Sequence, residues 1–147
     1  MSNRSIQVSC VKKNLKKVRQ FVSNVLEEHR LSAVDINLLV LAVDELCANL
    51  IIHSHACDPK EAIEVSVERQ NEKFVFEIRD RNADFFNLSE YKVPDMNKLI
   101  KDRRGGGIGL ILVRRIADEI HCEQRETMSI YRFSKAINSL SFPEATT

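Results

Sequence analysis

Glycine is almost missing from this chain. There are four in 147 residues, and all of them fall within Gly105-Gly106-Gly107-Ile108-Gly109. Everywhere else the backbone has to turn without it. Glycine reaches positive φ at little steric cost and lets a ligand approach the backbone closely, but it costs entropy on folding. Placing the whole supply in one stretch therefore points to a loop with a special task. Other absences exclude whole classes. No apolar run approaches the length of a membrane-spanning helix. Met1-Ser2-Asn3-Arg4-Ser5 leads into a strand-like run rather than a signal-peptide core. Cys10, Cys47, Cys57 and Cys122 contain no CxxC pair, so neither a zinc site nor a redox motif is expected. The formal net charge is +1, which gives no bulk attraction to nucleic acid. These absences predict a cytoplasmic protein that contacts neither membrane nor nucleic acid directly. The chain also lacks a GxxxxGK[ST] phosphate loop. A dinucleotide fingerprint does not fit either, because its glycines should directly follow a strand.

What is present reads as one domain with a single core. Hydrophobic residues make up 44% and charged residues 29%. Residues 6–11 alternate and predict an opening strand. Residues 12–30 predict a helix with Leu15, Val18, Phe21, Val22, Val25 and Leu26 on one face. Ser32, with Asp35 three residues on, predicts a capped helix start. That helix is expected from Ala33 to about Ser54, buried nearly all round. Residues 62–69 and the run through Phe74, Phe76 and Ile78 predict a hairpin turned at Gln70-Asn71-Glu72. Residues 84–104 predict a long irregular connection. A helix follows to about Ile120, then two short strands near 121–126 and 128–134, then a tail over 138–147. This order predicts an α+β fold: a two-layer α/β sandwich, with a mixed, mainly antiparallel sheet and helices on one face.

Three polar features stand out against that plan. The glycine cluster opens an apolar helical segment, a natural anion site because free N–H groups and the helix dipole point the same way. Arg103 and Arg104 beside a helix N-terminus are repelled by the dipole by about 0.3–1 kcal/mol each, and a bound polyphosphate would reverse that sign. Glu45, Asn49 and His53 at i, i+4, i+8 share one face of the buried helix. They are equally consistent with the helix's solvent side. Asp80 falls on the inward side of its strand, where a carboxylate needs donors such as an exocyclic amine. A strand-end Asp capping the next turn is the commoner alternative.

The order of these features resembles the GHKL (histidine-kinase/Hsp90-like) ATPase superfamily, and within it the anti-sigma-factor serine/threonine-protein kinases. Leu41-Ala42-Val43-Asp44-Glu45-Leu46-Cys47-Ala48-Asn49-Leu50-Ile51-Ile52-His53 is similar to that group's N box. Arg103-Arg104-Gly105-Gly106-Gly107-Ile108-Gly109-Leu110-Ile111-Leu112-Val113 is similar to its second glycine box, and Arg19-Gln20-Phe21-Val22 to its first-helix pattern. The resemblance implies a Bergerat ATP-binding fold over 1–137 that uses ATP and Mg²⁺. It implies Glu45 as the catalytic general base, Asn49 as the metal-binding residue and His53 near a phosphate or the helix end. It implies Asp80 as acceptor for the adenine amine. Asn82 and Ala83 would complete the adenine side. Arg104, Gly105, Gly106, Gly107, Ile108, Gly109 and Leu110 would form the phosphate side. A sigma factor and a STAS-domain anti-anti-sigma protein are the implied partners, with a homodimer as the implied assembly. The first glycine box departs from the usual Asp-x-Gly-x-Gly, reading Asp80-Arg81-Asn82-Ala83-Asp84-Phe85. Asn82 tolerates left-handed backbone and Ala83 is small. Two further readings stay open: a nucleotide-weak, non-catalytic partner-binding module, and a scaffold whose glycines form a packing hinge.

Overall fold

Alternating apolar residues bury one face of each strand and leave the other to water. The computed structural model describes residues 3–81 and 105–137. Over these, β1 (Asn3–Ser9), β2 (Ala62–Gln70), β3 (Lys73–Arg81), β4 (Glu119–Arg125) and β5 (Met128–Ala136) form a five-stranded sheet ordered β1-β2-β3-β5-β4. Ile63, Val65 and Val67 face the core beside Phe74, Phe76, Ile78, Tyr131 and Phe133. The rings of Phe76 and Phe133, paired directly across β3 and β5, stack at 4.8 Å between centroids.

The sheet was expected to be mixed and mainly antiparallel. Every described pairing is antiparallel. The reason lies in the topology. β3 and β4 are both antiparallel to β5, so they run the same way, but β5 is inserted between them. The parallel relation exists without a parallel ladder.

Both tight hairpins manage without glycine. Asn71 (φ 54°) and Glu126 (φ 54°) take the left-handed conformation instead. Asn tolerates this region; Glu126 bears the ordinary penalty of about 1–2 kcal/mol for a side chain there.

On the inner face, a 3₁₀ turn (Lys12–Asn14) leads into α1 (Leu15–Glu27). Asn14 ties this entry down: its Nδ2 donates to the Ser9 carbonyl at 2.8 Å and to Ser9 Oγ at 2.9 Å. Leu15, Val18, Val22, Val25 and Leu26 are buried at helical spacing. α2 (Ala33–Ala48) starts where expected, with Asp35 N–H donating to Ser32 Oγ at 3.2 Å. It packs between α1 and α3 (Gly105–Ile116). Two expectations fail here. α2 is not buried all round, because Val34, Leu38 and Leu41 form an exposed stripe. Its α-helical winding also stops at Ala48, and Asn49–Ser54 continue as a π-helical turn. The long connection over 84–104 and the tail over 138–147 lie outside the described residues.

Candidate adenine-reading site

The strand period places Asp80 inward, fully buried, near the end of β3. It pairs with Ile63 on β2 and Ser129 on β5. A carboxylate so placed is costly unless hydrogen bonds satisfy it. One oxygen is satisfied: His55 Nε2 lies 2.5 Å from Asp80 Oδ1. Among the described residues Asp80 Oδ2 has no hydrogen-bond partner, and neither has Ser129 Oγ directly across the ladder. The sheet thus presents two open polar atoms on one face at one register position. Burial pushes the Asp80 carboxyl above the ordinary carboxylate range; His55 opposes this and Glu61 adds to it. Two thiols lie in electrostatic reach. Burial, then the charge of Asp80, pushes Cys10 up to about 12. Cys47 is raised too, by burial first and then by Asp44, Cys10 and Asp80. Both stay protonated and behave as small apolar core groups.

The backbone that delivers His55 is unusual throughout. The π-helical turn carries the chain to it, and its N–H donates to the Leu50 carbonyl at 2.9 Å. Ala56 (φ 49°) and Cys57 (φ 59°) follow, two successive left-handed residues that are not glycine. Each costs about 1–2 kcal/mol. Cys57 N–H donates to the Ile51 carbonyl at 2.8 Å and helps hold the bend. Such turns and strained residues gather at functional sites, where the surroundings over-determine them.

Glu45 and Asn49 sit one turn apart near the end of α2, both half-buried. The Asn49 N–H donates to the carbonyls of Glu45 and Leu46. Burial, and secondarily Asp44, raises the Glu45 carboxyl. Asp44 is itself held by Arg19 at 3.1 Å. Cys47 lies between Glu45 and Asn49 in the chain, and the charge of Asp80 contributes to raising its thiol. The exposed stripe of Val34, Leu38 and Leu41 runs at helical spacing into Glu45.

The glycine cluster differs from its expected form. It is not a described loop: all four glycines lie within α3, and none has positive φ. Their conformational freedom is not being used. What they offer is a stretch of helix backbone with no Cβ to keep a ligand away. Asn82, Ala83 and Arg104 lie outside the described residues, as do the side chains of His53, Ile108 and Leu110. His55 and Ser129 were missed by sequence reasoning. Ser129 had a signal, since counting back by twos from Phe133 through Tyr131 reaches it. His55 had none. The outer sheet face has a shallow polar depression of ≈ 340 Å³ lined by residues including Gln7, Glu64, Arg79 and Met128, which holds no candidate residue.

Among the described residues, an antiparallel sheet carries three helices on one face, with an inward carboxylate near the end of β3. The model of the histidine kinase-like ATPase domain matches residues 9–135, and the chain belongs to that family. Among solved structures it is similar to the RsbU and RsbW domains of Rv1364c from Mycobacterium tuberculosis, at TM-score 0.67 and 17% identity, covering 97% of this chain and 34% of that one. It is also similar to the Acinetobacter baumannii histidine kinase AdeS, at TM-score 0.50 and 15% identity, covering 94% of this chain and 70% of that one. The chain thus spans about a third of the length of that solved chain. Comparison with curated proteins returns no match. No helix among the described residues is long and apolar enough to cross a membrane.

Proposed function

We propose that this domain binds Mg-ATP and transfers the γ-phosphoryl group to a serine or threonine of a STAS-type antagonist, and that it also holds a sigma factor. The observation that carries the nucleotide reading is Asp80: a buried carboxylate with one oxygen held by His55 and the other open. An exocyclic amine supplies the donor that Oδ2 lacks, and Ser129 Oγ adds a second polar contact, so these residues fit a purine. Both sequence boxes and the likeness to a structure containing an RsbW domain support the regulatory role.

The chain's residues divide the work. Glu45 takes the proton from the attacking hydroxyl. Its raised pKa makes it a stronger base once ionised and moves it toward working pH. Asn49 offers its side-chain oxygen to Mg²⁺, a hard cation that takes few protein ligands and keeps water and phosphate oxygens. The metal, when bound, neutralises phosphate charge. The free N–H groups at the start of α3 cradle the phosphates, with Arg104 and His53 beside them. Asn82, Ala83, Ile108 and Leu110 complete the nucleotide walls, and the unit spans 1–137.

Labelled phosphate transfer from Mg-ATP to the cognate antagonist tests this reading. No transfer, with Glu45→Ala indistinguishable from the parent, refutes the kinase. The first glycine box, which has no glycine, favours a second reading: a partner-binding module that uses nucleotide weakly. Calorimetry showing no ATP or ADP binding and a partner affinity indifferent to nucleotide would establish it instead.

A further inference from the structure

Asp80 is a two-oxygen group, and what it reads depends on which oxygen faces the ligand and whether that oxygen carries a proton. Charged, Oδ2 accepts from an amine. Protonated, it donates to a carbonyl oxygen. Most groups near it in the described structure do not settle the choice. Glu61 repels it, Cys10 and Cys47 stay protonated, and Ser129 Oγ is open. His55 is the one that supplies a hydrogen bond. It reaches Oδ1 at 2.5 Å and leaves Oδ2 free. Its position depends on a π-helical turn, two left-handed residues after it, and bonds from His55 N–H to Leu50 and from Cys57 N–H to Ile51. Three departures from regular backbone, the π-helical turn and two left-handed residues, converge on one buried imidazole.

We propose that His55 is a positioning residue for purine discrimination: by donating from Nε2 to Asp80 Oδ1 it keeps Oδ2 an acceptor, so the site takes a 6-aminopurine and refuses a 6-oxopurine. This rests on the nucleotide-binding reading above. Without the imidazole N–H, a fully buried carboxylate with Glu61 nearby holds its proton more readily. Oδ2 then turns from acceptor to donor, the adenine amine loses its partner, and the 6-oxo group of a hypoxanthine gains one.

The test is calorimetric titration of the full chain with Mg-ATP and Mg-ITP, for the parent, His55→Ala and His55→Gln. The parent is expected to prefer ATP. His55→Ala should shrink the ATP/ITP affinity ratio at least tenfold. His55→Gln, which keeps an N–H at similar reach, should restore most of it. A purely structural role would lower the melting temperature and weaken both nucleotides together; an unchanged ratio overturns the proposal while leaving ATP binding intact. A parent that binds neither nucleotide refutes the nucleotide reading, and this inference falls with it. Should His55→Ala not fold, ¹⁵N NMR of the parent decides. The proton is expected on His55 Nε2, with a shift on adding ADP. A ring protonated only on Nδ1 overturns the proposal.

Discussion

Replacing Asp80 with Asn separates the energetics of the site from those of the fold. The amide has nearly the shape of the carboxylate, and its oxygen can still accept from His55 at the 2.5 Å contact. Its nitrogen then faces the pocket in place of Oδ2, so an acceptor becomes a donor and meets the adenine amine donor to donor. Losing a hydrogen bond to a charged group costs about 1.5–3 kcal/mol, which is about tenfold to about 150-fold in affinity. Isothermal titration of Mg-ATP should show that loss. Folding should respond the other way. Burial raises the Asp80 pKa despite His55, so the folded state holds the proton more tightly than the unfolded chain does. For a raised acid, stability falls as pH climbs from the unfolded value, about 3.9, through the folded value. The variant is free of that penalty. Its melting temperature should exceed the parent's at neutral pH, and the gain should vanish below about pH 4. Affinity within twofold of the parent would refute the base-reading role. A lower melting temperature at pH 7 would refute the claim that burial outweighs His55.

Three further outcomes are expected. Glu45→Ala should retain ATP affinity and slow single-turnover phosphoryl transfer by about 10²- to 10⁴-fold; a rate within threefold of the parent would remove Glu45 as the base. Gly106→Ala, at a helical position with no positive φ, should stabilise α3 by up to about 1 kcal/mol while weakening ATP, as read by melting and titration on the same sample. Phe76→Ala empties a fully buried position stacked on Phe133 and should cost about 3–5 kcal/mol in urea unfolding.

Much of the fold was legible because the sheet alternates cleanly. Period two located β2 to within a residue, found β3 and β5 though both run further than expected, and turned Asp80 inward. Ser32 and Asp35 marked the start of α2, as capping chemistry should. Failures began where periodicity carries no information. A π-helical turn changes the winding within Asn49–Ser54 without changing the composition, so the helix was read straight through to Ser54. His55 looked like any polar residue near a helix end, because what gives it meaning is a contact 25 residues away. The exposed stripe of Val34, Leu38 and Leu41 was read as core, since hydrophobicity alone cannot tell a helix covered on all sides from one left open on one. The parallel component disappeared because strand order, unlike strand direction, has no local signature.

The seam between β3 and β5 has a consequence for folding. β2–β3 and β4–β5 close through two-residue turns, so each forms from neighbours in sequence. Joining them requires Arg81 to find Met128 across all the chain between, including α3 and β4. Long-range pairing of that kind must first overcome loop-closure entropy and is slow to form. Asp80 and Ser129 face each other on this seam. The atoms proposed to read the base therefore come together only when the two hairpins dock; on that reading, nucleotide binding is a late event in folding and the ligand a clamp across the last joint to close.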